Sequence, residues 1–340
     1  GAPVPVVPYS RKWPLAGRLP VYGLSLRAGQ VTPSFAPGLA AAVFATAAWG
    51  LQMPIAHDAF TIVDPFHITA ARYFIAALCL LPILLWREGW AALNLKDRGM
   101  TAAVLGVVGM CGSPMLVFFG MSMSTAEHAV VIVTLQPALA AIAIWVFGGQ
   151  RPARFTLACI AVAFLGVVAV VTRGEPLSVT SNRQLLGDAI VVVGSACWVA
   201  YTLGLSRLHG WSTWRITVLT MFPGACATGA MTLVLLQLGY LVTPSFSAVQ
   251  EVCWELAYLT FIGVLIAMLA WNYGARHIGG LNATLLINLM PVTTFLYRAA
   301  QGHQFVRMEV AGAALVVGAL VANNFYLRRR HHEIRDFEAL

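Results

Sequence analysis

Charged residues are scarce in this chain. Only 10% of its 340 residues are Asp, Glu, Lys or Arg, whereas 59% are hydrophobic and the mean hydropathy is +0.78. A soluble domain cannot expose so much apolar surface without aggregating, so the composition excludes a soluble globular protein. Apolar stretches of about 20 residues recur along the chain, and each is long enough to cross roughly 30 Å of hydrocarbon as an α-helix. Long stretches of this kind predict a helix bundle and not a barrel, whose strands would be shorter and alternating.

The sequence also lacks the motifs of nucleotide-dependent and metal-dependent proteins. It has no Walker phosphate loop, no His-Glu-x-x-His and no dinucleotide glycine fingerprint. Its six cysteines include no Cys-x-x-Cys pair, and most lie within apolar stretches, which indicates small core residues rather than disulfides or metal ligands. We therefore expect no cofactor and no metal. The net charge of +8 does not indicate a nucleic-acid partner, because the basic residues occupy short loops and tails, where they orient a membrane protein.

Ten apolar stretches predict ten spanning helices, at about 37 to 56, 65 to 86, 100 to 120, 127 to 147, 154 to 172, 185 to 206, 214 to 238, 254 to 275, 281 to 298 and 307 to 327. Residues 1–35 form a basic, proline-rich arm without the apolar core of a secretory signal, and we expect them to be flexible and cytoplasmic. With both termini in the cytoplasm, sixteen basic residues lie on that side and four on the other. The chain is thus predicted to be a multi-pass protein of a bacterial-type inner membrane, with a basic cytoplasmic tail at 328–340.

An internal repeat divides the ten spans into two groups of five. A shift of 154 positions superposes residues 105–168 on the second half without a gap; among the matches are Gly109 with Gly263, Gly120 with Gly274, Leu135 with Leu289, and Pro137 with Pro291. A slightly different shift places Trp49 on Trp198. Because five is odd, the second repeat (184–327) must cross the membrane in the opposite sense to the first (36–173). This all-α plan of two inverted five-helix repeats is typical of secondary transporters.

The chain also resembles the EamA-type transporters of the drug/metabolite transporter superfamily, which are ten-helix bacterial exporters. The resemblance rests on Ala47-Ala-Trp-Gly50, Ala71-Arg-Tyr-Phe74, Phe119-Gly120 and Thr134-Leu-Gln-Pro137. It implies that four helices of each repeat surround a central cavity while the fifth and tenth are peripheral. The glutamate that often follows the fourth helix of such repeats is replaced here by Gln150 in the first repeat, and the second has the stretch Gly302-His-Gln304.

Aromatic and amide residues within the spans are candidates for the wall of the cavity. An aromatic ring can stack on an amphipathic solute, and a buried amide must bond a neighbouring helix or face a wet cavity. Packing within the bundle is the alternative for each of them. The candidates are Trp49, Gln136, Trp198, Tyr201, Trp271, Asn272 and Asn288.

Arg72 is the basic residue that lies inside a span, so we expect it to pair with an acidic residue at the same depth. Asp58, Asp64 and Glu127 are its candidate partners, in either a permanent ion pair or a gate that opens. His57 and His128 stand next to two of these acids and are candidates for proton coupling. Asp188, near the start of the sixth span, is a comparable candidate for the same role.

Pro137 and Pro291 occupy matching places in the two repeats, and paired interruptions of this kind indicate a central binding site. We expect hinge or cavity-shaping roles for them, with ordinary helix kinks as the alternative.

The function predicted is a secondary transporter that exports small metabolites, amino acids or related amphipathic solutes, by alternating access. The alternative is a membrane-embedded enzyme acting on a lipid-linked substrate. The expected partners are a small-molecule solute and membrane lipids; the sequence carries no indication of oligomeric state.

Overall fold

The computed structural model describes residues 35–149, 151–174, 181–208, 210–278 and 286–338, and helices account for most of them. The expected N-terminal arm therefore lies outside the described residues, apart from its last residue. In chain order the α-helices are α1 (Phe35–Ala59), α2 (Pro65–Glu88), α3 (Gly99–Gly106), α4 (Ser113–Met123), α5 (Ala126–Val133), α6 (Gln136–Gly148), α7 (Arg154–Thr172), α8 (Asn182–Gly204), α9 (Thr213–Gln237), α10 (Phe246–Glu251), α11 (Cys253–Ala257), α12 (Ala267–Ile278), α13 (Leu289–Ala300) and α14 (Arg307–Glu338).

Two π-helical segments continue the α-helices on either side of them. Val107–Gly112 joins α3 to α4, and Tyr258–Ile266 joins α11 to α12. With these joined, eight helices within the described residues are long and apolar enough to span a membrane, and α5 with α6 forms a ninth candidate that is bent by 44°. The remaining expected span, 281 to 298, begins within 279–285, which are outside the described residues. The prediction of an all-helical membrane protein is confirmed, while the count of ten spans stays a prediction.

The helices pack in reciprocal pairs, as two related repeats would. Helix α1 contacts α12, and its counterpart α8 contacts α4, the counterpart of α12. In the same way α1 contacts α13 while α8 contacts α6, and the pairs α2 with α9 and α7 with α14 each join equivalent helices of the two halves. This exchange of partners is the packing expected when a two-fold axis relates the repeats.

Two glycines bring α7 and α14 into close contact. A Cβ atom on Gly166 would lie 2.7 Å from the carbonyl oxygen of Gly312, and one on Gly312 would lie 2.6 Å from that of Gly166. Small residues at both positions therefore let the two backbones approach directly, as is common where helices cross in a membrane.

Gly312→Ala tests this crossing. We expect it to destabilise the folded protein by about 1–3 kcal/mol, because the added methyl group must push the two backbones apart. Gly318→Ala, on the same helix, is the matched control, since no atom lies within 4 Å of its Cβ position. Thermal unfolding in detergent measures both, and equal melting temperatures for the two variants would contradict the close crossing.

Candidate solute pathway and ionic cluster

Both repeats are interrupted near the middle of a span, just before their matching prolines. Helix α5 ends at Val133 and α6 begins at Gln136, while a turn at 287–288 precedes α13. Pro137 is the second residue of α6 and Pro291 the third of α13, so both stand in the first turn of a helix. Proline is tolerated there because that N–H has no partner within the helix. The prolines thus begin new helices after a break, whereas an ordinary kink would leave one continuous helix.

The π-helical segments occupy corresponding places in the two repeats, since a shift of 154 positions carries 107–112 onto 261–266. Such widened turns disturb the regular hydrogen bonding of an α-helix and are frequent at functional sites. The π-helical segment of the second repeat is bonded to α1 of the first, where the Nε1–H of Trp49 donates to the carbonyl oxygen of Gly263 at 2.9 Å. The hydroxyl of Tyr258 donates to the carbonyl oxygen of Ala48 at 3.0 Å, which fixes the same segment to α1.

Each π-helical segment is met by equivalent positions of the other repeat. A Cβ on Gly263 would lie 2.8 Å from Oε1 of Gln52, and a Cβ on Gly109 would lie 2.3 Å from the ring of Tyr201. The shift that carries Trp49 onto Trp198 also carries Gln52 onto Tyr201. Gln52 therefore belongs to the candidate site, although its position was not among those predicted from the sequence.

The predicted aromatic residues form two separate pairs. The ring centroids of Trp49 and Trp271 are 5.3 Å apart, and those of Trp198 and Tyr201 are also 5.3 Å apart. Tyr201 is buried and its hydroxyl lies 3.3 Å from Oγ1 of Thr220, an environment that fits packing better than contact with a solute. The three tryptophans are half-buried.

The predicted amides differ in their surroundings. Gln136 is half-buried at the first residue of α6, whereas Asn288 is buried in the turn before α13. Asn272 lies in α12, and its side chain is outside the described residues. One amide therefore lies beside the helix break of each repeat: Gln136 in the first and Asn288 in the second.

The expected pairing of Arg72 with Asp58, Asp64 or Glu127 is wrong. Arg72 is 3% exposed, and its Nη1–H donates to Oε1 of Gln52 over 3.4 Å. Its guanidinium lies 4.0 Å from the ring centroid of Phe118. Asp64 instead caps α2, where its carboxylate accepts from two backbone N–H groups and lies 2.6 Å from Nδ1 of His67. Matching depth suggested the pairs, but depth does not fix which way a side chain points around its helix.

Arg298 is the cation that pairs with Asp58 and Glu127. Its Nη1 lies 2.9 Å from Asp58, its Nε 3.2 Å from Glu127, and its Nη2 3.4 Å from Nδ1 of His57. These four residues, here called the ionic cluster, lie at the end of the bundle where α1 ends, here called the Asp58 end. Because Arg298 belongs to the second repeat and the other three to the first, the cluster joins the two repeats.

A buried polar group continues this network. Nδ1 of His128 lies 3.1 Å from Asp188, and the hydroxyl of Ser124 donates to the same carboxylate at 2.5 Å. The carbonyl oxygen of Ser124 lies 3.3 Å from Nε2 of His57, so the group is linked to the ionic cluster. His128 is fully buried and Asp188 is 6% exposed. Ser124, His128 and Asp188, here called the buried triad, also connect the two repeats.

Comparison with known proteins decides the family. The model of the EamA-like transporter family matches residues 36–172 and 185–325, which is more than half of the chain. The chain belongs to the EamA-like transporter family. This EamA-like transporter is therefore a membrane transporter and not an enzyme, so the alternative of a membrane-embedded enzyme acting on a lipid-linked substrate is wrong. Among the described residues, no group of three or more His, Cys, Asp or Glu is placed to hold a metal ion.

Relatives of this EamA-like transporter occur in bacteria and archaea. It is 29% identical over 300 residues to the uncharacterized transporter YrdR of Bacillus subtilis, covering 87% of this chain and 94% of the relative. It is 25% identical over 239 residues to an uncharacterized transporter of Archaeoglobus fulgidus, covering 69% and 78% of the two chains. One solved crystal structure, 20% identical, superposes with a TM-score of 0.61 and covers 86% of this chain and 98% of its own, which shows the shared fold.

Proposed function

We propose that this EamA-like transporter is a secondary carrier that moves small polar or amphipathic solutes, amino acids or their relatives, by alternating access. The protein resides in a bacterial-type inner membrane with both termini in the cytoplasm, as the excess of basic residues in the corresponding loops and tails supports. The Asp58 end then faces outward. Export is the preferred direction because family members of this type are exporters, although a passive carrier follows its gradients.

The observation that carries this proposal is the ionic cluster. It joins the two repeats at one end of the bundle, while both helix breaks and both π-helical segments lie farther along the spans. An ion pair between helices that move relative to one another can form in one arrangement and break in another. Four residues therefore act as the outer gate in this proposal, namely Arg298, Asp58, Glu127 and His57, and Pro137 and Pro291 mark the hinges.

The solute binds between the gate and the opposite end of the bundle. Trp49, Trp271 and Trp198 provide aromatic surfaces for its apolar part, and Gln136, Asn272 and Asn288 provide amides for its polar groups. Tyr201 supports this wall from behind, because its buried ring fills the space left by Gly109.

The buried triad is the candidate site for proton coupling. His128 faces Asp188 of α8 and Ser124, and His57 of α1 approaches from the other side of Ser124. We expect Asp188→Asn to remove accumulation driven by a pH gradient while leaving exchange of solute for solute in place, because only the former requires net proton movement. Uptake into liposomes with and without an imposed pH gradient measures this difference. Unchanged gradient-driven accumulation in the variant would exclude the triad as the coupling site.

Reconstitution tests the proposed function itself. Purified protein in liposomes preloaded with an unlabelled amino acid should take up the labelled amino acid faster than protein-free liposomes and should release it unaltered. A panel of amino acids, amines, nucleosides and drugs extends the test. Absence of flux for every solute, or chemical alteration of any of them, would contradict the proposal.

A further inference from the structure

Arg72 is a buried cation with an unfilled set of hydrogen-bond donors. Among the described residues no carboxylate lies within ion-pair distance of it: Asp58 and Glu127 pair with Arg298, and Asp64 pairs with His67. Its Nε is fully buried and donates no hydrogen bond. The bond from Nη1 to Gln52 is long, at 3.4 Å, and its acceptor is a neutral amide.

A cation in this position is incompletely stabilised. A buried charge is costly within a membrane protein unless it is paired or reaches water. The ring of Phe118 at 4.0 Å and that of Tyr73 at 5.0 Å provide cation–π attraction, which offsets part of this cost. Aromatic rings interact with the face of the guanidinium, however, whereas its five N–H donors point outward in the plane of the group. The edge of Arg72 is therefore suited to an anion that the protein does not itself supply.

The surroundings connect this edge to the proposed solute pathway. Gln52 is half-buried, contacts Arg72 on one side and Gly263 of the π-helical segment on the other, and lies one turn after Trp49 on the same face of α1. Displacement of the Gln52 amide would open the guanidinium to a ligand already lying against Trp49. A carboxylate matches the planar fork of arginine and makes two charge-assisted bonds with it.

We propose that Arg72 binds the carboxylate of the transported solute, with Gln52 as the group that the carboxylate displaces. This inference rests on the proposed carrier function and narrows its substrates to compounds with a carboxylate group. The remainder of the solute lies toward Trp49 and Trp271.

A matched set of ligands tests the inference on the unaltered protein. Phenylalanine, threonine, glutamate and benzoate are compared with phenylalaninamide, threoninamide, glutamine α-amide and benzamide as inhibitors of solute exchange in liposomes. Loss of charge-assisted bonds corresponds to roughly a tenfold to hundredfold weaker inhibition, so each amide should be weaker than its acid by about that factor. Equal inhibition by acids and amides would overturn the inference while leaving the carrier function intact. If no solute of either set exchanges, the carrier function fails and the inference fails with it.

Variants at Arg72 supply the second arm. Arg72→Gln should reduce the preference for acid over amide to near unity, whereas Arg72→Lys should retain part of it because the positive charge remains. Arg183→Gln, which removes an exposed arginine at the second residue of α8, is the control and should keep the full preference. If Arg72 were only a structural cation, folded Arg72→Gln would keep the same preference, which would overturn the inference. If Arg72→Gln does not fold, the result of the ligand set decides.

Discussion

Arg298→Met is expected to destabilise the protein by about 3–5 kcal/mol, the usual cost of leaving a buried charge without its partner. Glu127 is 5% exposed, and its Oε1 lies 3.2 Å from Nε of Arg298 in an ion pair. Methionine keeps much of the side-chain volume but provides no cation, so the carboxylate is left buried and unpaired. Solute exchange should fall along with stability, because the two repeats lose their contact at the Asp58 end. Thermal unfolding in detergent and exchange in liposomes measure the two effects.

Two further variants separate the buried half of the ionic cluster from its exposed half. The Asp58 side chain is 41% exposed, so Asp58→Asn should cost only about 0.2–1 kcal/mol, as exposed ion pairs do. Adding Glu127→Gln to Arg298→Met removes the unpaired charge and should recover much of the lost stability, though not the exchange activity. A melting temperature of Arg298→Met equal to that of the unaltered protein would show that Glu127 does not depend on Arg298.

Trp49→Ala is expected to cost about 3–5 kcal/mol, because it removes a large aromatic side chain from a packed position. Trp49 packs against three of the apolar clusters of the bundle and is held by its bond to the carbonyl oxygen of Gly263. A residue whose only role is to bind solute would be replaceable without loss of stability. The contacts of Trp49 now predict a loss of both folded protein and transport.

Trp49→Phe distinguishes the two roles of this side chain. It keeps an aromatic ring and removes the Nε1–H donor, so we expect a loss of about 0.5–1.5 kcal/mol, the net value of one hydrogen bond. Gln136→Ala is the companion variant, since Gln136 is half-buried and should impair exchange with little change in stability. Unfolding and exchange are measured for both. Full exchange activity in Gln136→Ala would remove that residue from the solute pathway.

The fold could be predicted from the sequence because it depends on the length of the apolar stretches and on the side to which the basic loops belong. Both are properties of whole spans and not of single side chains. The repeat was visible for the same reason, since the matches of Gly109 with Gly263 and of Pro137 with Pro291 recur in one register. In the structure both glycines lie within π-helical segments, and no known local sequence pattern marks such a segment in either repeat.

The ionic cluster could not be assembled from the sequence. Its central pair joins residues 240 positions apart, and depth alone made Arg72 as good a partner for Asp58 as Arg298. The direction in which each side chain points around its helix decides between them, and that direction follows from packing. One signal was available in the sequence. Arg298 is among the four basic residues predicted for the outer side of the membrane, where a basic residue does not help to orient the protein, and this favours an ion pair as its role.

The central claim, that the Asp58 end must open during transport, is tested most directly by a cross-link. Cysteines replace Asp58 and Gln301, whose side chains lie 3.4 Å apart across the ionic cluster, and Arg298 and Glu127 stay in place. The six native cysteines are removed, and a short bifunctional reagent that a reductant can cleave joins the new pair. A protein cross-linked through cysteines at Phe155 of α7 and Tyr326 of α14, whose rings lie 4.7 Å apart, is the control. We predict that the cross-link between 58 and 301 stops solute exchange, that reduction restores it, and that the control continues to transport. Undiminished exchange by the protein cross-linked at 58 and 301 would contradict alternating access through this gate.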